Sequence, residues 1–182
     1  MPHRTLVLGG ARSGKSAHAE GLLSASEPVT YVATSRPDPA DSEWSERIAA
    51  HAARRPAPWS TAEAGGGDDA PRLLRTAARD DPPLLVDDLA TWLTGVLDDA
   101  SAWERDPGAL REVADRKAEL VGSVERCPAR LVLVSAEVGL GVVPSTRSGR
   151  LFRDELGELN ARLAEVCEEV VLLVAGLPLR LR

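Results

Sequence analysis

Leu6-Val7-Leu8-Gly9-Gly10-Ala11-Arg12-Ser13-Gly14-Lys15-Ser16 decides the fold of this chain. Three apolar residues suit a short buried strand. They run into G-x-x-x-x-G-K-S from Gly9 to Ser16, and an alanine-rich helical pattern follows. Strand, glycine-rich loop and helix, in that order, are the context in which this pattern binds phosphate. The glycines let backbone N–H groups turn inward around a polyphosphate, and the helix N-terminus adds the positive end of its dipole. The candidate cradle is Gly9, Gly10, Ala11, Arg12, Ser13, Gly14, Lys15 and Ser16. Within it Lys15 is placed to reach the β- and γ-phosphates, and the Ser16 hydroxyl to hold Mg²⁺. A chance match in a glycine-rich turn is the competing reading, and the complete pattern behind the first strand argues against it. A nucleoside triphosphate is the expected ligand. The loop does not say what is done with it.

Size and composition set bounds. A chain of 182 residues is the length of one α/β domain, expected to span 1–182. Hydrophobic residues make up 43% and aromatics only 3%, so aliphatic side chains must fill the core. The formal net charge of −6, without a basic run, argues against non-specific nucleic-acid binding. Cys127 and Cys167 are far apart and form no metal-ligand pattern, so they read as core thiols. The first strand begins almost at the N-terminus, leaving no room for a signal peptide. No apolar run approaches the ~20 residues of a membrane span. A soluble cytoplasmic protein is the expectation.

Further strands alternate with helices. Val29–Ala33 is β-branched and apolar, a second buried strand ending in Ala33-Thr34-Ser35. Ligands of open α/β sheets bind beyond the carboxyl ends of the strands, which places Thr34 and Ser35 near the phosphate loop. A helix capped by Asp41 or Ser42 is expected to run to about Arg54, with only a weak apolar face at Ile48, Ala49, Ala52 and Ala53. Trp59–Glu63 reads as a short extended piece, and about Ala70 to Ala78 as a helix. Leu84-Leu85-Val86 is an apolar strand running into Asp87-Asp88. An acid at that point matches the carboxylate that sits beside Mg²⁺ in phosphate-loop proteins, and Asp87 comes first. An acid at a strand end also commonly caps the next helix, and both readings stay open.

Leu89–Leu97 reads as a helix, with an irregular acidic stretch from Asp98 to Pro107. Ala109–Arg126 reads as a charged amphipathic helix with a solvated outer face. Leu131–Ser135 and Val170–Val174 are buried strands, with an apolar-striped helix over Ser148–Val166 between them. Leu179–Arg182 is expected as an edge strand. This alternation predicts a mostly parallel sheet with right-handed crossovers and helices on both faces, an α/β fold of the P-loop NTPase-like type.

A second chemical feature lies between Arg47 and Glu63. His51 sits among Arg47, Arg54 and Arg55, followed by Pro56, Trp59, Thr61 and Glu63. Neighbouring guanidinium groups favour neutral imidazole, which can act as nucleophile or base. Arginines also suit phosphate oxygens through bidentate hydrogen bonds. A solvated helix carrying an incidental histidine fits these residues equally well. His18, three residues after Lys15, reads as a surface or packing residue.

The run Gly9–Ser16 with Ala19-Glu20 resembles the bifunctional adenosylcobinamide kinase/adenosylcobinamide-phosphate guanylyltransferase family of cobalamin synthesis. So do Tyr31-Val32-Ala33-Thr34-Ser35 and the pattern R-I-x-x-H-x-x-x-R-P-x-x-W-x-T-x-E at Arg47, Ile48, His51, Arg55, Pro56, Trp59, Thr61 and Glu63. Leu85-Val86-Asp87, Trp92-Leu93-Thr94, Glu137-Val138-Gly139, Val143-Pro144, Arg153-Asp154, Gly157, Asn160 and Val174–Pro178 extend the likeness over nearly the whole chain. The resemblance implies two reactions. The aminopropanol hydroxyl of adenosylcobinamide is phosphorylated by a nucleoside triphosphate, ATP or GTP. A GMP–histidine intermediate formed from GTP then passes GMP to adenosylcobinamide phosphate. It implies His51 as nucleophile, and Ala33, Thr34, Ser35, Ala52, Ala53, Arg54, Arg55 and Glu63 around the guanine nucleotide. It also implies a homo-oligomer. The chain departs from the family pattern at Ala50, where a second histidine can stand, at Gly95, commonly Asn, and at Ala136, where Asn-Glu is usual in place of Ala136-Glu137. A simpler small-molecule kinase with a structural His51, or a nucleotide-dependent regulatory NTPase, shares the same loop.

Overall fold

The structure is a computed structural model that describes residues 3–36, 46, 49, 52, 53 and 55–182. Among the described residues seven strands form one sheet: β1 (Arg4–Gly9), β2 (Val29–Ala33), β3 (Trp59–Glu63), β4 (Leu84–Asp87), β5 (Leu131–Ala136), β6 (Glu169–Val174) and β7 (Leu177–Arg180). Their spatial order is β3-β2-β4-β5-β1-β6-β7. All neighbours pair in parallel except β6 and β7, which are antiparallel. The helices whose ends lie among the described residues are α1 (Lys15–Gly21), α2 (Asp69–Thr76), α3 (Leu89–Asp99), α4 (Pro107–Arg126) and α5 (Arg147–Val166), with a 3₁₀ turn at Ala102–Glu104; Glu46, Ala49, Ala52 and Ala53 are also helical.

The apolar runs become central strands because both sheet faces are covered. Successive side chains point to opposite faces, and β1 shows it. Leu6 and Leu8 join the core beneath α2, α3, α4 and α5, whereas Val7 joins Tyr31, Leu85, Val132 and Val134 on the face of α1. Helix starts are fixed by side-chain caps. Asp106 accepts from Gly108 N at 2.9 Å and Ala109 N at 3.0 Å, with Pro107 at the first helical position of α4. Thr146 accepts from Gly149 N at 3.1 Å to start α5. Helix α1 begins at Gly14 without a side-chain cap.

Several expectations shift. The edge strand is Leu177–Arg180 rather than Leu179–Arg182, because the Gly176 turn (φ 79°) folds it straight back onto β6. The Asp98–Pro107 stretch is not wholly irregular: α3 extends to Asp99 and the 3₁₀ turn follows. Helix α4 does not present a purely solvated charged face. Lys117 is fully buried, and its ammonium donates to Glu155 and Glu158 of α5 at 2.5 Å each. Both cysteines are buried free thiols, as expected. Burial pushes the Cys167 thiol up to about 12 and raises that of Cys127 as well. His3, for which the sequence suggested no role, makes a 2.8 Å hydrogen bond between its Nε2 and the Cys127 carbonyl.

Candidate functional site

The site lies at the carboxyl edge of the sheet, where parallel strands deliver their loops together. Strand β1 ends with Gly9 opposite Ala136 of β5 and Leu173 of β6. Strand β2 ends with Ala33 opposite both Asp87 of β4 and Glu63 of β3. The phosphate loop, Thr34, Ser35, Glu63 and Asp87 therefore share one edge, where the strand pattern had placed Thr34 and Ser35.

The loop has the backbone of an anion cradle. Arg12 (φ 56°) and Gly14 (φ 87°) both adopt left-handed conformations, which turn successive N–H groups to one side. Ser13 N donates to Gly10 O at 3.3 Å and closes the turn. Gly9 is required for space rather than for its φ. A Cβ there would lie 2.3 Å from Ser13 Oγ and 3.2 Å from Leu173 Cβ. Ser13 Oγ is buried without a hydrogen-bond partner, tucked beneath the loop. Lys15 Nζ reaches back to Gly10 O at 3.5 Å, so its ammonium lies against the loop it serves.

The two adjacent acids have different partners. Asp88 caps α3, accepting from Thr91 N at 2.7 Å. Asp87 turns to the phosphate loop, where its Oδ1 accepts from Ser16 Oγ at 3.3 Å. Its Oδ2 accepts from Tyr31 Oη at 2.8 Å. Ser16 and Asp87 thus bring together hard oxygen donors, a chemistry that fits Mg²⁺. No group of three or more His, Cys, Asp or Glu suited to a metal occurs among the described residues. A cation here would complete its shell from phosphate oxygens and water, the usual habit of Mg²⁺.

The remaining expected residues are placed unevenly. Ala33 is buried, and Thr34 is buried with its Oγ1 donating to Asp88 O at 2.7 Å, so this hydroxyl serves the β4–α3 junction. Ser35 is half-buried, whereas Glu63, Ala52 and Ala53 are exposed. The Arg55 guanidinium stacks 3.7 Å from the centroid of the Tyr31 ring and donates to Thr61 Oγ1 at 2.6 Å. His51, Arg54, Ala50 and the expected cap at Asp41 or Ser42 lie outside the described residues. His18 is half-buried on α1, consistent with a packing role.

Tyr31 is the feature that residue-by-residue reading passed over. It lies 56 positions from Asp87, and only the parallel pairing of β2 with β4 brings them together. Burial raises the Tyr31 phenol well above its ordinary range, and the Asp87 carboxylate adds to the shift, so Tyr31 acts purely as a donor. Two of the departures from the family pattern, Gly95 and Ala136, lie among the described residues. At Gly95 a Cβ would meet Arg36 Nη2 at 3.2 Å; that guanidinium is held by Asp99 at 2.7 and 2.6 Å. At Ala136 the backbone carbonyl accepts from Asn160 Nδ2 at 3.0 Å, and Asn160 Oδ1 accepts from Ser135 Oγ at 2.7 Å.

A mostly parallel sheet with a phosphate loop after an interior strand, and a carboxylate bonded to the loop serine, defines a nucleotide-binding α/β protein of the P-loop class. Residues 5–181 match the family described as cobinamide kinase / cobinamide phosphate guanyltransferase, and the chain belongs to that family. It is 39% identical to the bifunctional adenosylcobalamin biosynthesis protein CobU of Salmonella typhimurium, over 97% of this chain and 98% of the relative. It is 37% identical to the protein of the same name from Escherichia coli, over 97% and 98%. It is 44% identical to the bifunctional adenosylcobalamin biosynthesis protein CobP of Pseudomonas aeruginosa, over 98% and 97%. Family membership makes the chain a kinase and nucleotidyltransferase of cobalamin biosynthesis, with cobinamide substrates and a nucleoside triphosphate. No helix among the described residues is long and apolar enough to cross a membrane.

Proposed function

We propose that one nucleotide site, built on Gly9–Ser16, serves attack at two phosphorus atoms in turn. In the first reaction the aminopropanol hydroxyl of adenosylcobinamide attacks the γ-phosphorus of ATP or GTP. The O–P bond to substrate forms, the bond to the β-phosphate oxygen breaks, and the nucleoside diphosphate leaves. The hydroxyl proton passes to a base not assigned among the named residues. Little covalent work falls to the protein in such a transfer; positioning and charge stabilisation dominate. The inward-turned N–H groups and Lys15 provide both.

In the second reaction GTP lies in the same cradle and a neutral His51 attacks the α-phosphorus. A P–N bond forms and the bond to the β-phosphate bridging oxygen breaks, releasing pyrophosphate. A phosphate oxygen of adenosylcobinamide phosphate then displaces His51, giving adenosylcobinamide-GDP and the free imidazole. Passing through a covalent intermediate divides one transfer into two displacements. Lys15 stabilises the γ-phosphoryl group in the first reaction and the departing pyrophosphate in the second. Ser16 and Asp87 would hold Mg²⁺, which supplies charge neutralisation when bound. Ala33, Thr34, Ser35, Ala52, Ala53, Arg54, Arg55 and Glu63 are assigned to the guanine nucleotide.

The contact that carries this reading is Ser16 Oγ to Asp87 Oδ1 at 3.3 Å, which joins the loop to the carboxylate at the end of β4, across β5. We assign the chain a single domain over 1–182, a cytoplasmic location and a homo-oligomeric state. The test is turnover of purified protein with adenosylcobinamide. ATP or GTP with Mg²⁺ should give adenosylcobinamide phosphate, and GTP should convert that product to adenosylcobinamide-GDP with one pyrophosphate released. Nucleotide hydrolysis indifferent to corrinoid would overturn the assignment.

A further inference from the structure

Tyr31 is 3% exposed, and it is held at both ends. Its hydroxyl donates to Asp87 Oδ2 at 2.8 Å, while the other oxygen of the same carboxylate accepts from Ser16 at 3.3 Å. Its ring carries the Arg55 guanidinium at 3.7 Å, and Arg55 is itself anchored to Thr61 of β3 at 2.6 Å. The Tyr31 hydroxyl thus restrains the second oxygen of the Asp87 carboxylate, and Arg55 packs on the Tyr31 ring.

We propose that Tyr31 is a positioning residue. It holds the Asp87 carboxylate in the rotamer that presents Oδ1 to the cation-and-phosphate side of the loop, and the Arg55 stack keeps its ring in place. The inference rests on the nucleotide-site reading above and adds a residue that acts through Asp87 without touching nucleotide. It has a consequence for both reactions, because each needs the same carboxylate. A core tyrosine that merely satisfies its hydroxyl on a nearby carboxylate would have none of these effects.

The variant is Tyr31→Phe, which keeps the ring and the Arg55 stack and deletes one hydroxyl. The first measurement is GTP affinity by calorimetry across a Mg²⁺ titration and again in excess EDTA. Loss of one charge-assisted hydrogen bond to a carboxylate predicts that about 5- to 20-fold more Mg²⁺ is needed for half-maximal tightening of GTP binding. Affinity in EDTA should stay within about twofold, because the cradle N–H groups and Lys15 are untouched. The second measurement is both partial reactions at limiting and saturating Mg²⁺. Both should fall together when Mg²⁺ is limiting, and both should recover at saturation. An unchanged Mg²⁺ midpoint overturns the proposal. So does equal weakening of GTP binding with and without Mg²⁺, which marks a structural role, and so does a loss that saturating Mg²⁺ does not restore. The calorimetry needs no corrinoid. A Tyr31-dependent Mg²⁺ effect in a protein inactive on cobinamide would refute the functional assignment and leave this inference standing.

Discussion

Gly9→Ala isolates the packing of the phosphate loop from its chemistry. Gly9 is not among the residues with positive φ, so alanine meets no backbone penalty there. The obstacle is steric: the new methyl would stand 2.3 Å from Ser13 Oγ, 3.1 Å from Ser13 Cβ and 3.2 Å from Leu173 Cβ. Ordinary carbon–oxygen contact lies near 3.4 Å, so Ser13 must retreat by roughly 1 Å. Leu173 belongs to β6, which pairs with β1, and yields little. Ser13 is a cradle residue, and its displacement moves the N–H groups that face phosphate. Overpacking of this kind costs about 1–3 kcal/mol. If that cost falls on the bound geometry, GTP affinity drops about 5- to 150-fold. Calorimetry of GTP binding measures it, with thermal unfolding as the control for global damage. The double variant Gly9→Ala/Ser13→Gly removes the two closest contacts and should recover at least half of the lost binding free energy. Wild-type affinity in the single variant, or no recovery in the double, would refute the steric account.

Other expectations follow from particular contacts. Lys15→Ala should depress both partial reactions by at least about 100-fold, because the charge it neutralises is common to the γ-phosphoryl group and the departing pyrophosphate; a loss confined to one reaction, measured by product formation, would contradict a shared cradle. The buried Lys117 pair should respond asymmetrically. Lys117→Met leaves Glu155 and Glu158 (side chains 21% and 56% exposed) able to turn to water, and should cost less than about 1.5 kcal/mol. Replacing both glutamates by alanine strands the ammonium and should cost about 3–5 kcal/mol, or about 6–20 °C in Tm by calorimetric melting. Equal costs would count against that account. Cys127 and Cys167 should resist a thiol reagent at pH 8 in the native protein and react fully in denaturant, because both are buried and the Cys167 thiol is pushed up to about 12.

The legible parts of this molecule were those with a period or a short motif. Leu6–Ser16 announces strand, loop and helix within a few residues. Val29–Ala33, Leu84–Asp87 and Leu131–Ala136 appear as apolar runs because a parallel sheet buries both faces of its strands. Strand order, by contrast, is a property of pairing, and nothing local in Trp59–Glu63 says that it adds to the edge beside β2. Lys117 illustrates the same limit. On its own helix it is one charge among many, and only the crossing of α4 with α5 shows that Glu155 and Glu158 enclose it. Asp87 was preferred to Asp88 only as the first acid after an apolar run; that Asp88 caps α3 while Asp87 bonds Ser16 depends on the backbone at the strand end. The Tyr31–Asp87 contact depends on register between two strands distant in the chain.

The most direct test of the central claim, two attacks on a nucleotide held in one cradle, is incubation of the protein with GTP labelled in the α-phosphate. The account predicts an acid-labile, base-stable label on the wild-type protein. That label should be absent from His51→Ala, which still phosphorylates adenosylcobinamide at close to the wild-type rate. A label that survives in His51→Ala, or a wild type that forms adenosylcobinamide-GDP without ever carrying label, would contradict it.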